Sequence, residues 1–197
     1  GYVVTGWKTR PSGNVELIVP DEYNGKPVIE IADHAFYGDE NIVSVWLPDR
    51  IIRIGACAFQ STKNLRRISA GHHTLNIGRD AFSGTAFSQD GENYTDGILY
   101  LDLRSSNNKV VISSSDTVKH AYLSDDVVAI VPGAFSAAQG ALETLSFGKS
   151  LTAVYENTFS SFYMIKRVDY RGTVEDWWKI KFENYNANPL FCGAELY

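Results

Sequence analysis

The chain has only two cysteines, Cys57 and Cys192, one methionine and six prolines among 197 residues. Two cysteines do not make the disulfide framework of a small stapled scaffold, so stability has to come from packed apolar side chains. Long hydrophobic runs are also missing: the apolar stretches are too short and too interrupted to span a bilayer, so no membrane insertion is expected. No signal peptide is visible at the start. Positive charge is not in excess. Eighteen Lys and Arg against 23 Asp and Glu leave a net charge of −5, and the cations are scattered, which is not the footprint of a nucleic-acid binder. There is no Gly-rich phosphate loop, nucleophile elbow or paired-cysteine zinc pattern. His34, His72, His73 and His120 are dispersed. His72-His73 lacks the i, i+4 spacing of a helical metal pair, and on a strand the two rings would diverge to opposite faces. These absences point to a chain that is not an enzyme, with no catalytic residue, no metal site and no cofactor.

What the chain does have is a dipeptide that returns at one spacing. Ala-Phe stands at Ala35-Phe36, Ala58-Phe59, Ala81-Phe82 and Ala134-Phe135, with Thr158-Phe159 as a variant. The phenylalanines are 23, 23, 53 and 24 residues apart, and a period in the low twenties is the mark of a repeat solenoid. Aligned on them, five residues upstream stand Ile31, Ile54, Ile77, Ile130 and Val154, and seven upstream Ile29, Ile52, Leu75, Val128 and Thr152. Four of the five copies therefore alternate apolar-x-apolar, the periodicity of a strand. Downstream come Ile42, Val45 and Leu47, then Leu65, Ile68 and Ala70, then Leu142, Leu145 and Phe147, then Ile165, Val168 and Tyr170. This L-x-x-I-x-L spacing belongs to leucine-rich repeats, in which a short strand forms one wall of each coil. A single repeat cannot bury its apolar side alone, so neighbours stack and share a continuous core. The five phenylalanines are expected to form its internal spine.

The run Val28-Ile29-Glu30-Ile31-Ala32-Asp33-His34-Ala35-Phe36 resembles the V-x-x-I-G-x-x-A-F unit of BspA-like leucine-rich repeats, as does Ile52-Arg53-Ile54-Gly55-Ala56-Cys57-Ala58-Phe59. The opening Val15-Glu16-Leu17-Ile18-Val19-Pro20 and the closing Tyr170-Arg171-Gly172-Thr173-Val174-Glu175-Asp176-Trp177-Trp178 are similar to the ends of such arrays. The glycine after the isoleucine is kept only at Gly55 and Gly78. Val131 and Tyr155 stand at equivalent positions, so the backbone there is not expected to be left-handed. The expected fold is a repeat solenoid: a right-handed, β-rich leucine-rich-repeat superhelix with short helical turns and a C-terminal helical cap.

One long domain over 1–197 is expected, with an opening coil at 1–27, repeats over 28–170 and a cap over 171–197. The 53-residue gap marks a modified repeat at 83–127. Within it Ile98-Leu99-Tyr100-Leu101-Asp102-Leu103 and Lys109-Val110-Val111-Ile112 flank a polar Ser-Ser-Asn-Asn turn, which reads as a β-hairpin. In the cap, Thr173 offers an N-cap hydroxyl ahead of two acidic residues, and Trp177, Trp178 and Ile180 offer apolar bulk to cover the last coil. Asn188-Pro189 is a second helix-start signal. At least four coils separate the cysteines, on the order of 20 Å at about 4.8 Å per coil, so both should be free thiols. Asp125-Asp126 occupies the position of Asp49-Arg50 in an earlier repeat and reads as a solvated turn.

Function is left to the outward strand positions, which stacking should line into rows. One row reads Ser44, Arg67, His120, Thr144 and Arg167; the next reads Trp46, Ser69, Tyr122, Ser146 and Asp169. Trp46, Arg67, Ser69, His120, Tyr122, Arg167 and Asp169 are the candidate ligand-binding face, because aromatics and arginine dominate binding hot spots. The resemblance implies a secreted or cell-surface recognition and adhesion module, engaging a protein or glycan partner on a host or neighbouring-cell surface. The alternative is a structural spacer within a larger surface protein.

Overall fold

The computed structural model describes residues 1–197. Its contacts gather the chain into two units, Gly1–Asn93 with Leu101–Asn107, and Tyr94–Tyr100 with Asn108–Tyr197.

The first unit holds β1 (Tyr2–Val4), β2 (Val15–Ile18), β3 (Glu22–Tyr23), β4 (Lys26–Ile31), β5 (Ile42–Trp46), β6 (Arg53–Ile54), β7 (Arg67–Ser69), β8 (Asn76–Ile77) and a short α1 (Ala86–Gln89). Each coil contributes one strand to each of two walls. One wall runs β1-β4-β6-β8, with β3 folded back antiparallel on β4; the other runs β2-β5-β7. Every pairing between coils is parallel, as a stack of equivalent turns requires. Between the walls Phe36, Phe59 and Phe82 are almost wholly buried. Their rings stack at 5.3 and 5.7 Å, within 12° of parallel. Each contributes about 1.5–3 kcal/mol of transfer free energy.

The buried positions do not follow simple alternation. Val28, Ile51, Thr74, Val127 and Leu151, eight residues before each phenylalanine, are buried, whereas Ile52, seven before, is 52% exposed. The cause is a bulge. Tyr2 pairs with Val28 but Val3 with Glu30, leaving Ile29 unopposed, and Val128 is skipped in the same way further on. An extra residue on one strand reverses which face the following side chains take, so V-x-x-I, and not I-x-I, is the inward pair in the first unit; along Val127–Ile130 all four side chains are buried. A third bulge at Val43 produces the x-x of L-x-x-I-x-L.

Gly55 and Gly78 are not left-handed, as expected. They are required by contact: a Cβ would lie 2.3 Å from the Asp33 amide nitrogen and 2.4 Å from that of Ala56. The left-handed residue is the one just before each small-Phe pair. His34, Cys57, Asp80, Gly133 and Asn157 have φ between 54° and 71°. That twist aims the backbone N–H of His34 and Cys57 at carbonyls of the following coil, at 2.9 Å each.

The second unit holds β9 (Tyr94–Thr95), the first three residues of β10 (Ile98–Asp102), β11 (Lys109–Ser114), β12 (His120–Tyr122), β13 (Val127–Ile130), β14 (Thr144–Phe147), β15 (Ala153–Val154), β16 (Arg167–Tyr170), α2 (Val174–Trp177), β17 (Lys181–Phe182) and β18 (Glu195–Leu196). Its walls run β9-β10-β11-β13-β15-β17 and β12-β14-β16-β18. Neighbouring β10 and β11 form the expected hairpin: Ser115 N donates to Gly97 O at 2.8 Å, setting the start of one strand against the end of the other. Within this unit Phe135 and Phe159 stack at 5.7 Å.

The C-terminal segment is not a helical cap. It has one four-residue helix, and its strands β17 and β18 pair parallel with β15 and β16, so it is built as a further coil. The capping signals are real but brief: Thr173 Oγ1 accepts from Asp176 N at 3.1 Å, and Asn188 Oδ1 from Leu190 N at 3.0 Å. Each then launches about one turn, because the chain has to return to the ladder. The two tryptophans part company. Trp177 is buried, stacked 6.0 Å from Phe147, while Trp178 is 77% exposed.

Candidate functional site

The outward rows form within each unit. In the first, Glu16, Ser44 and Arg67 stand in register, as do Ile18, Trp46 and Ser69. In the second, His120, Thr144 and Arg167 form one row and Tyr122, Ser146 and Asp169 the other. The continuous rows expected from the sequence are interrupted, because β7 and β12 are end strands of separate sheets. Trp46, Arg67 and Ser69 therefore belong to one face, and His120, Tyr122, Arg167 and Asp169 to another.

The second face is internally saturated. Arg167 makes a forked contact with Asp169 through Nε and Nη2, at 2.6–2.9 Å, and lies 4.1 Å over the Tyr197 ring. This hydrogen bonding holds the Asp169 carboxyl below the usual carboxylate range. His120 Nδ1 and Thr144 Oγ1 are 2.8 Å apart. Tyr122 lies under the Arg171 guanidinium at 4.3 Å.

Arg171 belongs to an arrangement that the alignment did not single out and that occurs once in each unit. Its Nη2 donates to Leu123 O, its Nη1 to Ser146 Oγ at 2.7 Å and its Nε to Asp125 Oδ1 at 3.2 Å. In the first unit Arg104 lies 4.4 Å over Trp46, donates to Leu47 O at 2.7 Å and meets Asp49 Oδ1 at 3.3 Å. The recurring elements are aromatic-Leu-x-Asp on one coil and an arginine two coils on. The coil between supplies glycine. A Cβ on Gly71 would lie 2.4 Å from Asp49 Cα, and one on Gly148 2.5 Å from Ser124 O. Asp125 is therefore no merely solvated turn: the Lys149 amide and Arg171 together lower its pKa. The signal was present in the column after the last apolar strand position, which reads Pro48, Gly71, Arg104 and Ser124, Gly148, Arg171.

The first face is hollowed. Where a further strand would follow β7, the chain instead forms α1 and a 3-10 turn over Gly91–Asn93. A groove of about 720 Å³ opens there, lined by Ile18, Trp46, Arg66, Arg67, Ile68 and Phe87 among others. That volume lies within the range of ligand-binding clefts. Ile18 is 66% and Trp46 37% exposed. Arg67 makes only a loose 3.5 Å ion pair with Glu16.

His72 and His73 do not diverge. They sit in a turn and not on a strand, with ring centroids 3.9 Å apart and His72 Nδ1 3.7 Å from Asp49 Oδ2. No group of three or more His, Cys, Asp or Glu side chains is placed to hold a metal ion. Both cysteines are free, and burial pushes both thiols up. No helix is long and apolar enough to cross a membrane.

A profile of the “BspA type Leucine rich repeat region” matches six copies over residues 29–90 and 108–190. The chain belongs to that family. Among solved structures it is similar to the T. pallidum leucine-rich repeat protein, at 24% identity over 80% of this chain and 73% of that one, with a TM-score of 0.46. A leucine-rich repeat protein from Bacteroides ovatus matches at 20% identity over 79% of this chain and 39% of that one, TM-score 0.42. A leucine-rich cell surface protein from Faecalibacterium prausnitzii matches at 14% identity over 86% and 91%, TM-score 0.27. The comparison with curated proteins gave no match.

Proposed function

We propose that this BspA-type repeat chain is a non-catalytic recognition module of a surface or secreted protein, and that it binds a protein partner through the hollowed face of its first unit. The observation that carries this reading is the contrast between the two outward faces. One pairs Arg167 with Asp169 in a close fork, while the other leaves Arg67 only a loose ion pair and sets Ile18, Trp46 and Phe87 around a groove with Arg66 and Arg67 beside it. Apolar anchors ringed by polar groups are what binding hot spots are made of. The saturated face suits a supporting role, which is where the spacer reading keeps its force.

Binders selected from a displayed protein library against the whole chain test this. Ile18→Asp and Ser69→Tyr, both at groove-lining outward positions, should each weaken the selected complexes roughly tenfold or more without lowering the melting temperature. Tyr122→Ala should leave them unchanged. Binders indifferent to both groove substitutions would remove the groove from consideration.

A further inference from the structure

The open side of β7 has defined ends. Leu65 O accepts from Phe87 N at one end and Ala70 O from Arg104 N at the other, both at 2.8 Å, where Ala70 also bridges Leu103 in parallel. Residues 88–102 leave this sheet between those points. β7 pairs in a ladder with β5 alone. Leu47 N donates to Ser69 O, so Ser69 turns its backbone groups toward β5. Alternation along a strand then turns the N–H and C=O of Ile68 to the open side. Ile68 is only half-buried although its register partner Val45 is 2% exposed. The vacancy runs from Arg66 to Ser69, roughly 13 Å at about 3.3 Å per residue.

Its chemistry is as specific as its length. Arg66 has no ion pair, and Arg67 has only the exposed one with Glu16. A strand laid in the vacancy meets Arg67 and Ser69 on the outward face, with Trp46 one strand further on, and Ile68 on the other face, with Phe87 lining the same groove. Alternation along the incoming chain therefore asks for an acid opposite Arg67 and an aliphatic side chain opposite Ile68.

We propose that β7 is a docking edge that takes up an extended, alternating acidic–aliphatic segment of a partner protein as an added strand. This rests on the recognition reading above and specifies its partner. Main-chain hydrogen bonds to Ile68 would give affinity, and the arginines and the groove the choice of sequence.

The probe is the labelled peptide acetyl-(Glu-Val)₃-amide, titrated by fluorescence anisotropy against the whole chain, with hydrogen exchange followed at the Ile68 amide. Three controls are acetyl-(Lys-Val)₃-amide, a Glu-Val peptide N-methylated on alternate residues to remove its edge donors, and cellohexaose. The Glu-Val peptide should bind and slow exchange at Ile68; Arg66→Glu with Arg67→Glu should cost roughly tenfold or more and favour the Lys-Val peptide. N-methylation should abolish binding. Equal binding of the Lys-Val peptide, binding without protection at Ile68, indifference to N-methylation, or cellohexaose displacing the peptide would each overturn the proposal. So would self-association of Arg66→Ser with Arg67→Ser in a chain that binds no peptide, since the arginines would then only guard a bare edge. If displayed binders still depend on Ile18 and Ser69 while N-methylation is without effect, the recognition reading stands and strand addition fails.

Discussion

Arg104 and Arg171 show how one side chain can tie three coils together. Each guanidinium offers a flat face to an aromatic ring and donates to a carbonyl and a carboxylate on a coil two turns back, Arg104 through Nη2 alone and Arg171 through Nη2 and Nε. A planar fork does this and an ammonium does not. Arg104→Ala should therefore cost about 1–3 kcal/mol, from the lost charged hydrogen bonds and cation–π contact. Arg104→Lys should recover less than half of it. Urea denaturation of the three proteins checks this, and a lysine variant as stable as wild type would show that charge alone matters. Trp46 is accordingly both groove wall and staple.

At the scale of the element, burial decides between side chains that the sequence presents as equals. Trp177 and Trp178 are adjacent, yet only Trp177 fills space among Phe147, Tyr170 and Phe182. Trp177→Ala should cost about 3–5 kcal/mol, as should Phe59→Ala in the spine, because stacked neighbours cannot collapse into the cavity. Trp178→Ala should stay within about 0.5 kcal/mol. Arg53 lies between these cases: it points outward, as alternation requires, but bonds Glu30 and, at 2.6 Å, Asp33. Its substitution should cost about 1–2 kcal/mol, well under that of Phe59. Thermal melts of the four variants give the ranking, and equal losses for Trp177 and Trp178 would contradict the last coil as built.

At the scale of the whole molecule, exposed carboxylates set the response to acid. Hydrogen bonds from Arg53 to Asp33, from Arg167 to Asp169 and from Lys179 to Asp176 hold these carboxyls below their ordinary range, and Asp125 is held down by the Lys149 amide and Arg171. A lowered folded pKa means that the folded state binds fewer protons than the unfolded chain, so stability rises with pH in that window. The contribution is complete above the ordinary carboxylate pKa of about 4 and is lost as pH falls through the lowered values. The melting temperature should accordingly be nearly flat from about pH 7 to 5 and fall below about pH 4, more gently at high salt because the pairs are exposed. A melting temperature that rises on acidification would refute this assignment.

The sequence by itself determined the repeat, its period, the phenylalanine spine, the hairpin and the free thiols, because stacking forces every coil to present the same residue type at the same place. It also marked the outward positions, since alternation holds over a few residues of any strand. It misplaced what depends on an interruption of that regularity. Bulges at Ile29 and Val128 broke the apolar-x-apolar alternation assumed seven and five residues before each phenylalanine, and capping signals that start a helix said nothing of a ladder that ends it after a turn. Only the tertiary structure decided that the rows divide between two sheets, that glycines clear the way for Arg104 and Arg171, and that a missing strand opens the groove beside β7. Each of these joins residues of different coils, and no local pattern encodes a contact whose partners lie some twenty to sixty positions apart.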